Sequence, residues 1–344
     1  MSNTFLFEFF IAPFFLSTLV TILSCFVLNK MQIIDVPNDR SLHRYVVPRG
    51  GGISVAIVFL SYQIVFLDFF PEGGFSFSTP EQNSVLVWLI CGIFFAMMGG
   101  LDDWKPRSAA WRLAGQVFLS ILFVSFCFPS PFSSDSFFLV GTAFLIVFTV
   151  NVFNFLDGAD GYASSQAILF IFGYVLCGST FFSLELLALS WVLAGAIFGF
   201  LVLNIYPARI FLGDLGSYFI GFQLIAISIF GTTEGIPIGV PFILLSPFIC
   251  DALPTLLKRI VEKKKWWSAH REHAYQRFVL SGMGVRALNL WLVVVNLCIC
   301  WPVAWLVTEG IIDSTWGIGC VYAFLIIIWY YAPQSSNNNQ QTFI

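Results

Sequence analysis

The chain has 344 residues, 58% of them apolar and only 10% charged, with a net charge of −3. A soluble domain carries about 25% charged residues, so an ordinary soluble protein is excluded. The 41 Phe and 11 Trp suit lipid-facing and interfacial surfaces better than a cofactor pocket.

Apolar runs near the length of a bilayer span recur along the chain. They predict an all-α polytopic integral membrane protein with about eleven transmembrane helices, at 5–29, 51–70, 84–100, 113–128, 136–153, 162–181, 184–204, 215–232, 238–257, 287–307 and 316–332. Residues 1–332 read as one transmembrane domain, and 333–344, rich in Asn and Gln, as a polar and disordered tail. The first run is not a cleavable signal, because Lys30 follows it and no basic residue precedes it. The eight cysteines form no CxxC pair and read as small hydrophobes. No phosphate-loop, dinucleotide-binding or zinc-protease motif occurs. A nucleic-acid partner is not expected.

In this eleven-span arrangement all 16 Lys and Arg fall on one side. That side is therefore cytoplasmic, with the N-terminus outside and the C-terminus inside. A basic face suits anionic lipids or phosphate ligands, and it is also the ordinary topology signal.

Polar residues that are costly in hydrocarbon collect at the cytoplasmic ends of spans. Arg49-Gly50-Gly51-Gly52, after Pro48, has the composition of an anion-cradling loop and equally of a flexible turn. Asp102 and Asp103 follow Gly99-Gly100-Leu101. They are either a loop acid pair or a functional pair approached closely by backbone at the glycines. Asn151, Asn154, Asp157 and Asp160 stand at three-residue steps between the fifth and sixth spans. On one continuous helix they spread over about half the circumference, but Gly158 and Gly161 predict a break that can turn them toward one point. Asp214, in Gly213-Asp214-Leu215-Gly216-Ser217, is either a helix N-cap or an oxygen ligand for Mg²⁺. Lys263-Lys264-Lys265-Trp266-Trp267 reads as a membrane-surface anchor. In His270-Arg271-Glu272-His273, phosphate contacts are favoured over zinc, since no Cys or third His lies near.

Taken in order, the stretches DVPNDRSLHRYVVPRGGG (35–52), GLDDWKPRSAAWRLAGQ (100–116), NVFNFLDGADGYA (151–163), NIYPARIFLGDLGSYFIG (204–221) and HREHAYQRF (270–278) resemble the polyprenyl-phosphate N-acetylhexosamine-1-phosphate transferases (glycosyltransferase family 4). The resemblance implies a multi-pass enzyme of a bacterial inner membrane with a cytoplasmic site. In it, a polyprenyl phosphate attacks the β-phosphorus of a UDP-N-acetylhexosamine and UMP leaves. It also implies Mg²⁺, with Mn²⁺ as a substitute, and is compatible with a homodimer.

By motif position, Asp214 resembles the principal metal ligand, with Asn154 beside it. Asp102 resembles the residue that deprotonates or orients the lipid phosphate, Asp103 is its neighbour, and Asp157 organises the phosphate and metal side. Asn204, Phe211 and Asp160 match positions that hold the uridine, and Arg112 stands where a Lys often contacts the diphosphate. His270, Arg271 and His273 match the motif that touches the sugar or its phosphate, and Asn151 reads as structural.

The branch transferring phospho-MurNAc-pentapeptide has Thr-Met-Gly-Gly and a three-His run where this chain has Pro48-Arg49-Gly50-Gly51-Gly52 and His-Arg-Glu-His. The linkage-unit branch favours His-Leu-His-His where this chain has His273-Ala274-Tyr275-Gln276. The pattern is most like the group that starts O-antigen or outer-core saccharides. Its donor is UDP-GlcNAc or a relative such as UDP-GalNAc, UDP-FucNAc or UDP-QuiNAc. An ion-coupled transporter is the rival class. It predicts acids at the midplane and repeated halves, whereas these acids map to one face.

Overall fold

A computed structural model describes residues 3–37, 42, 45–69, 83–128, 136–265 and 270–333. The expected tail from Gln334 to Gln341, the Trp266-Trp267 part of the anchor, and Arg40, His43 and Arg44 of the first motif lie outside the described residues.

The first long helix comprises α1 (Asn3–Leu6), a π turn (Phe7–Ile11) and α2 (Ala12–Lys30). Strands β1 (Ile34–Asp35) and β2 (Val47–Pro48) pair antiparallel, Ile34 opposite Pro48 and Asp35 opposite Val47. Then follow α3 (Ile53–Phe69), α4 (Asn83–Trp104), α5 (Ala109–Cys127), α6 (Ser136–Leu156), α7 (Tyr162–Gly178), α8 (Leu184–Asn204) and α9 (Gly213–Thr233). The chain closes with α10 (Gly239–Leu244), α11 (Ser246–Val261), α12 (Ala274–Leu280), α13 (Val285–Val295), a π turn (Asn296–Cys300), α14 (Trp301–Thr308) and α15 (Ser314–Tyr331).

Each of the eleven expected segments is helical. Among the described residues, eight helices are long and apolar enough to cross a membrane; Ile53–Leu67 and Tyr162–Gly178 are shorter apolar helices. The segment expected at 238–257 is not one helix. It divides at Leu245 into α10 and α11, with Pro247 in the first turn of α11, where a missing N–H is tolerated.

The glycine-rich α9 lies at the centre, against α4 and α6. Of its most apolar stretch 83% is buried, against 17% for Thr4–Lys30 and for Ser314–Tyr331. The outer helices expose large apolar side chains such as Phe15, Phe26, Phe137 and Trp316, as expected of a surface solvated by lipid. Buried amides tie helices together, since hydrocarbon offers no other partner. Trp88 Nε1 donates to Gln223 Oε1 (2.6 Å), Asn151 Nδ2 to Gln116 Oε1 (2.6 Å), and Asn296 Nδ2 to Gln166 Oε1 (2.9 Å). The partner of Asn151 supports its structural reading.

Candidate active site

Several helices end beside one another. The helix bearing Asp102 and Asp103 runs to Trp104, so both acids lie in the last turn of α4 and not beyond it. Arg112 is likewise inside α5 and not in a loop. Asn151 and Asn154 lie in the last turns of α6; the chain then breaks through Asp157 and Asp160. Gly161, at φ +71°, adopts a left-handed conformation open to glycine and starts α7. The expected break is present.

Asp214 is not the N-cap of α9. It lies in the first turn, and Asp103 caps the helix from α4: the Asp214 N–H donates to Asp103 Oδ1 (2.9 Å) and the Leu215 N–H to Asp103 Oδ2 (3.0 Å). This approach requires Gly99, since a Cβ there would overlap the Asp214 carbonyl. Relieved of capping, Asp214 Oδ1 accepts from Arg49 Nη2 (2.7 Å) and Asn154 Nδ2 (2.9 Å). Arg49 Nε also lies 2.8 Å from Asp103 Oδ1. Asp102 accepts from the Arg107 N–H at Oδ1 (2.6 Å) and from Arg112 Nη1 at Oδ2 (2.8 Å).

Arg49 was legible only as part of a flexible or anion-cradling loop. The cradle reading fails, because the Gly51 and Gly52 N–H groups donate to the Phe211 and Leu212 carbonyls. The side chain instead bridges two carboxylates. Burial works against its charge, but Asp214, Asp103, Asp35 and Asp157 outweigh that and hold it above its ordinary pKa. Asp157 accepts no hydrogen bond from a described residue. Burial pushes its carboxyl well above the usual range; Arg49 opposes that shift, and Asp214, Asp103 and Asp160 add to it.

The expected nucleoside residues meet around one turn. Asn204 is buried and engaged at both ends: Nδ2 donates to the Ile210 carbonyl (3.0 Å) and Oδ1 accepts from Ser164 (3.0 Å). Asp160 Oδ2 accepts the Ala208 N–H (2.9 Å). The half-buried Phe211 donates its N–H to the Pro48 carbonyl (2.8 Å). Thus Asn204 and Asp160 shape the 205–210 turn, and the Phe211 backbone joins it to β2, immediately before Arg49.

In the last motif the His270 and His273 rings stack at 4.8 Å. His273 also stacks on Phe155 (6.3 Å), and the Tyr275 hydroxyl donates to the Phe155 carbonyl (3.3 Å). The motif is therefore seated on the end of α6. Burial first, then His273 and Arg259, push His270 down to about 3, so its ring is neutral at physiological pH. Arg271 is half-buried beside them. Glu272 turns away to Arg259 and Lys264. The motif hangs on Asp251, an acid that the span assignment passed over although it stands in an apolar run; Asp251, Thr255 and Arg259 form a buried polar stripe at i, i+4, i+8 on α11.

Two apolar grooves open near these groups. One, about 400 Å³, runs between α5 and α6 past Leu113, Phe144, Phe148 and Val152 to Arg112 and Asn151. The other, about 370 Å³, runs along α2 past Val20, Leu23 and Val27 to Arg49 and Asp103.

A family model described as glycosyl transferase family 4 matches residues 85–232. A probable undecaprenyl-phosphate N-acetylglucosaminyl 1-phosphate transferase of Bacillus subtilis is 26% identical over 270 residues, covering 75% of this chain and 72% of the relative. A decaprenyl-phosphate N-acetylglucosaminephosphotransferase of Mycobacterium leprae is 28% identical over 327 residues, 81% of this chain and 77% of the relative. A phospho-N-acetylmuramoyl-pentapeptide-transferase of Streptococcus pneumoniae is 26% identical over 217 residues, 58% and 65% of the two chains.

Proposed function

Because this chain belongs to glycosyl transferase family 4, whose relatives here are polyprenyl-phosphate sugar-1-phosphate transferases, we propose that it transfers N-acetylhexosamine-1-phosphate from a UDP-sugar to a polyprenyl phosphate. The product is the lipid-diphosphate sugar that starts a cell-surface polysaccharide of the O-antigen type, made on the cytoplasmic face of a bacterial inner membrane. Both longer matches carry N-acetylglucosamine in their names, which puts UDP-N-acetylglucosamine first among the donors.

The observation that carries this reading is the meeting of Asp102, Asp103, Asp157 and Asp214 with Asn154, Arg49 and Arg112 where helices end and an apolar groove begins. In the reaction, an oxygen of the lipid phosphate bonds to the donor's β-phosphorus. The bond from that phosphorus to the bridging oxygen breaks, and UMP keeps the electron pair. Two anions must approach, so catalysis is mainly charge neutralisation and alignment. A phosphate monoester with second pKa near 6 is largely ionised at pH 7, so Asp102 has little proton to remove. Its ion pair with Arg112 suits it to orienting that guanidinium toward the lipid phosphate at the groove's polar end. Asn204, Asp160 and Phe211 form the uridine side, and His270, Arg271 and His273 the sugar-phosphate side.

The residues also fit Mg²⁺. The donor set is all oxygen, and among the described residues the four carboxylates Asp102, Asp103, Asp157 and Asp214 face the two guanidiniums of Arg49 and Arg112. Mg²⁺ takes one or two carboxylates, with water and phosphate oxygens completing its shell. Asp214 and Asn154 would hold it, with Asp157 beside them. Bound there, it supplies Lewis-acid neutralisation of the diphosphate.

The test is release of UMP by purified protein from UDP-GlcNAc, UDP-GalNAc and UDP-FucNAc in parallel. Release is expected only with polyprenyl phosphate and Mg²⁺. Silence on every donor rejects the proposal, and turnover of UDP-MurNAc-pentapeptide alone moves the chain to the branch of the pneumococcal relative.

A further inference from the structure

We infer that Asp251 is a positioning residue for the reaction, clamping the His270–His273 motif through His273. The inference rests on the proposed function in taking this motif as the part that meets the donor.

Asp251 lies in α11, remote in sequence from the loop it serves, and is 5% exposed. Its carboxylate makes three contacts with successive residues at the start of α12. Oδ1 is 3.2 Å from His273 Nδ1 and accepts the Ala274 N–H at 2.7 Å; Oδ2 accepts the Tyr275 N–H at 2.9 Å. His273 is the N-cap residue of α12, yet its side chain makes no capping bond. Asp251 does that work from another helix, supplying an acceptor for N–H groups that the first turn leaves without one.

An ionised carboxylate only accepts hydrogen bonds. Facing it, Nδ1 of His273 must carry the proton, and Nε2 is the nitrogen that can address a ligand. The ring cannot readily turn out of this pose. It is 3% exposed and stacked against His270, Phe155 and Tyr275. The His273–His270 stack passes the constraint to His270. The Tyr275 hydroxyl, bonded to the Phe155 carbonyl, fixes the far end of the same segment against the end of α6. One carboxylate thus sets the tautomer of one histidine, the placement of the other, and the seating of the motif beside the Asn154–Asp160 break.

The experiment compares Asp251→Asn with Asp251→Glu, alone and with His273→Ala, in purified protein. Asp251→Asn keeps the size and one acceptor but sets an amide NH₂ against groups that donate. It is expected to raise the donor KM roughly tenfold, the scale of one charge-assisted hydrogen bond, and to leave the polyprenyl-phosphate KM unchanged. Asp251→Glu should recover part of the loss. In the His273→Ala background the same substitution should add less than twofold, because residues acting through one another are not additive.

The chain has only three histidines, so ¹⁵N-histidine NMR provides a readout independent of transfer. One ring should show a protonated Nδ1 that is lost in Asp251→Asn and absent in His273→Ala. Full additivity of the two substitutions, or an unchanged ¹⁵N pattern in folded Asp251→Asn, overturns the inference. If the wild type transfers nothing, the proposed function falls, while the ¹⁵N pattern still decides whether Asp251 sets His273.

Discussion

Asp103 accepts the backbone N–H of Asp214, so one acid of the cluster holds in place the helix that presents another. Its second oxygen takes the Leu215 N–H, and Arg49 completes its coordination. With both oxygens engaged, Asp103 is suited to structure and poorly suited to proton transfer. Asp103→Ala removes a helix cap and takes one of two carboxylate partners from the partly exposed Arg49. Those losses together predict a destabilisation of roughly 1–3 kcal/mol. Thermal unfolding in detergent measures it; a loss under about 0.5 kcal/mol would show that the cap contributes little.

Arg49 touches Asp103 through Nε and Asp214 through Nη2. A lysine carries the same charge as a single point and cannot span both carboxylates. Arg49→Lys is therefore expected to fold but to lose about tenfold or more in kcat, because Asp214 is no longer held against α4. Equal kcat in the two proteins, assayed by UMP release, would mean that charge alone suffices there.

Much of this cluster was legible because the membrane makes polar residues conspicuous. Asp102, Asp103, Asp157 and Asp214 stood out as costly, and the glycines beside Asp157 and Asp160 announced the break that the structure contains. What the pattern could not supply was pairing. Asp103 and Asp214 look alike in sequence and both touch Arg49, yet Asp103 caps α9 while Asp214 accepts from Asn154; only the crossing of α4 and α9 distinguishes them. Arg49 was hidden by the glycines after it. Asp251 was hidden inside a run long enough to pass for one span. The break at Leu245 and the stripe Asp251, Thr255, Arg259 are visible once α11 is seen to start afresh at Ser246.

Asp102 spends both oxygens on the Arg107 amide and the Arg112 guanidinium. If it orients Arg112, Asp102→Asn and Arg112→Ala should raise the KM for polyprenyl phosphate in parallel, each roughly tenfold or more. The double variant should be little worse than either single one. Raising the pH should not restore the Asp102→Asn rate, since no proton is being removed. Recovery at high pH would instead assign Asp102 the role of base.

His270 supplies a pH dependence with a definite sign. A free histidine takes a proton near 6.5, whereas this ring, disfavoured by burial and by His273 and Arg259, waits until about 3. Between those values the unfolded state binds the extra proton, so stability rises with pH through that window and is lost on acidification. The unfolding midpoint should fall as pH drops below about 6.5. His270→Gln should make that decline shallower, the carboxylates accounting for the rest. Identical slopes from pH 4.5 to 8 would remove His270 as a contributor.

Removing divalent ions separates the chemistry of the site from its architecture. Asp214 and Asn154 are the expected ligands, yet Arg49 already bridges Asp214 to Asp103, and Asn154 Nδ2 already donates to Asp214. The carboxylates therefore have a resident counter-charge from the chain itself. Chelation should abolish UMP release while moving the unfolding midpoint by no more than about 1 °C, the shift expected for under about 1 kcal/mol in a chain of this size. Added Mg²⁺ or Mn²⁺ should restore turnover. In Arg49→Ala that counter-charge is gone, and the same chelation should lower the midpoint markedly, because Asp103 and Asp214 then repel across a short gap with only the ion to screen them. Asp214→Ala should lose about 10²–10³-fold in kcat and become insensitive to chelation in its unfolding. A large chelation shift in the wild type, matching that of Arg49→Ala, would show that Arg49 does not balance the acids.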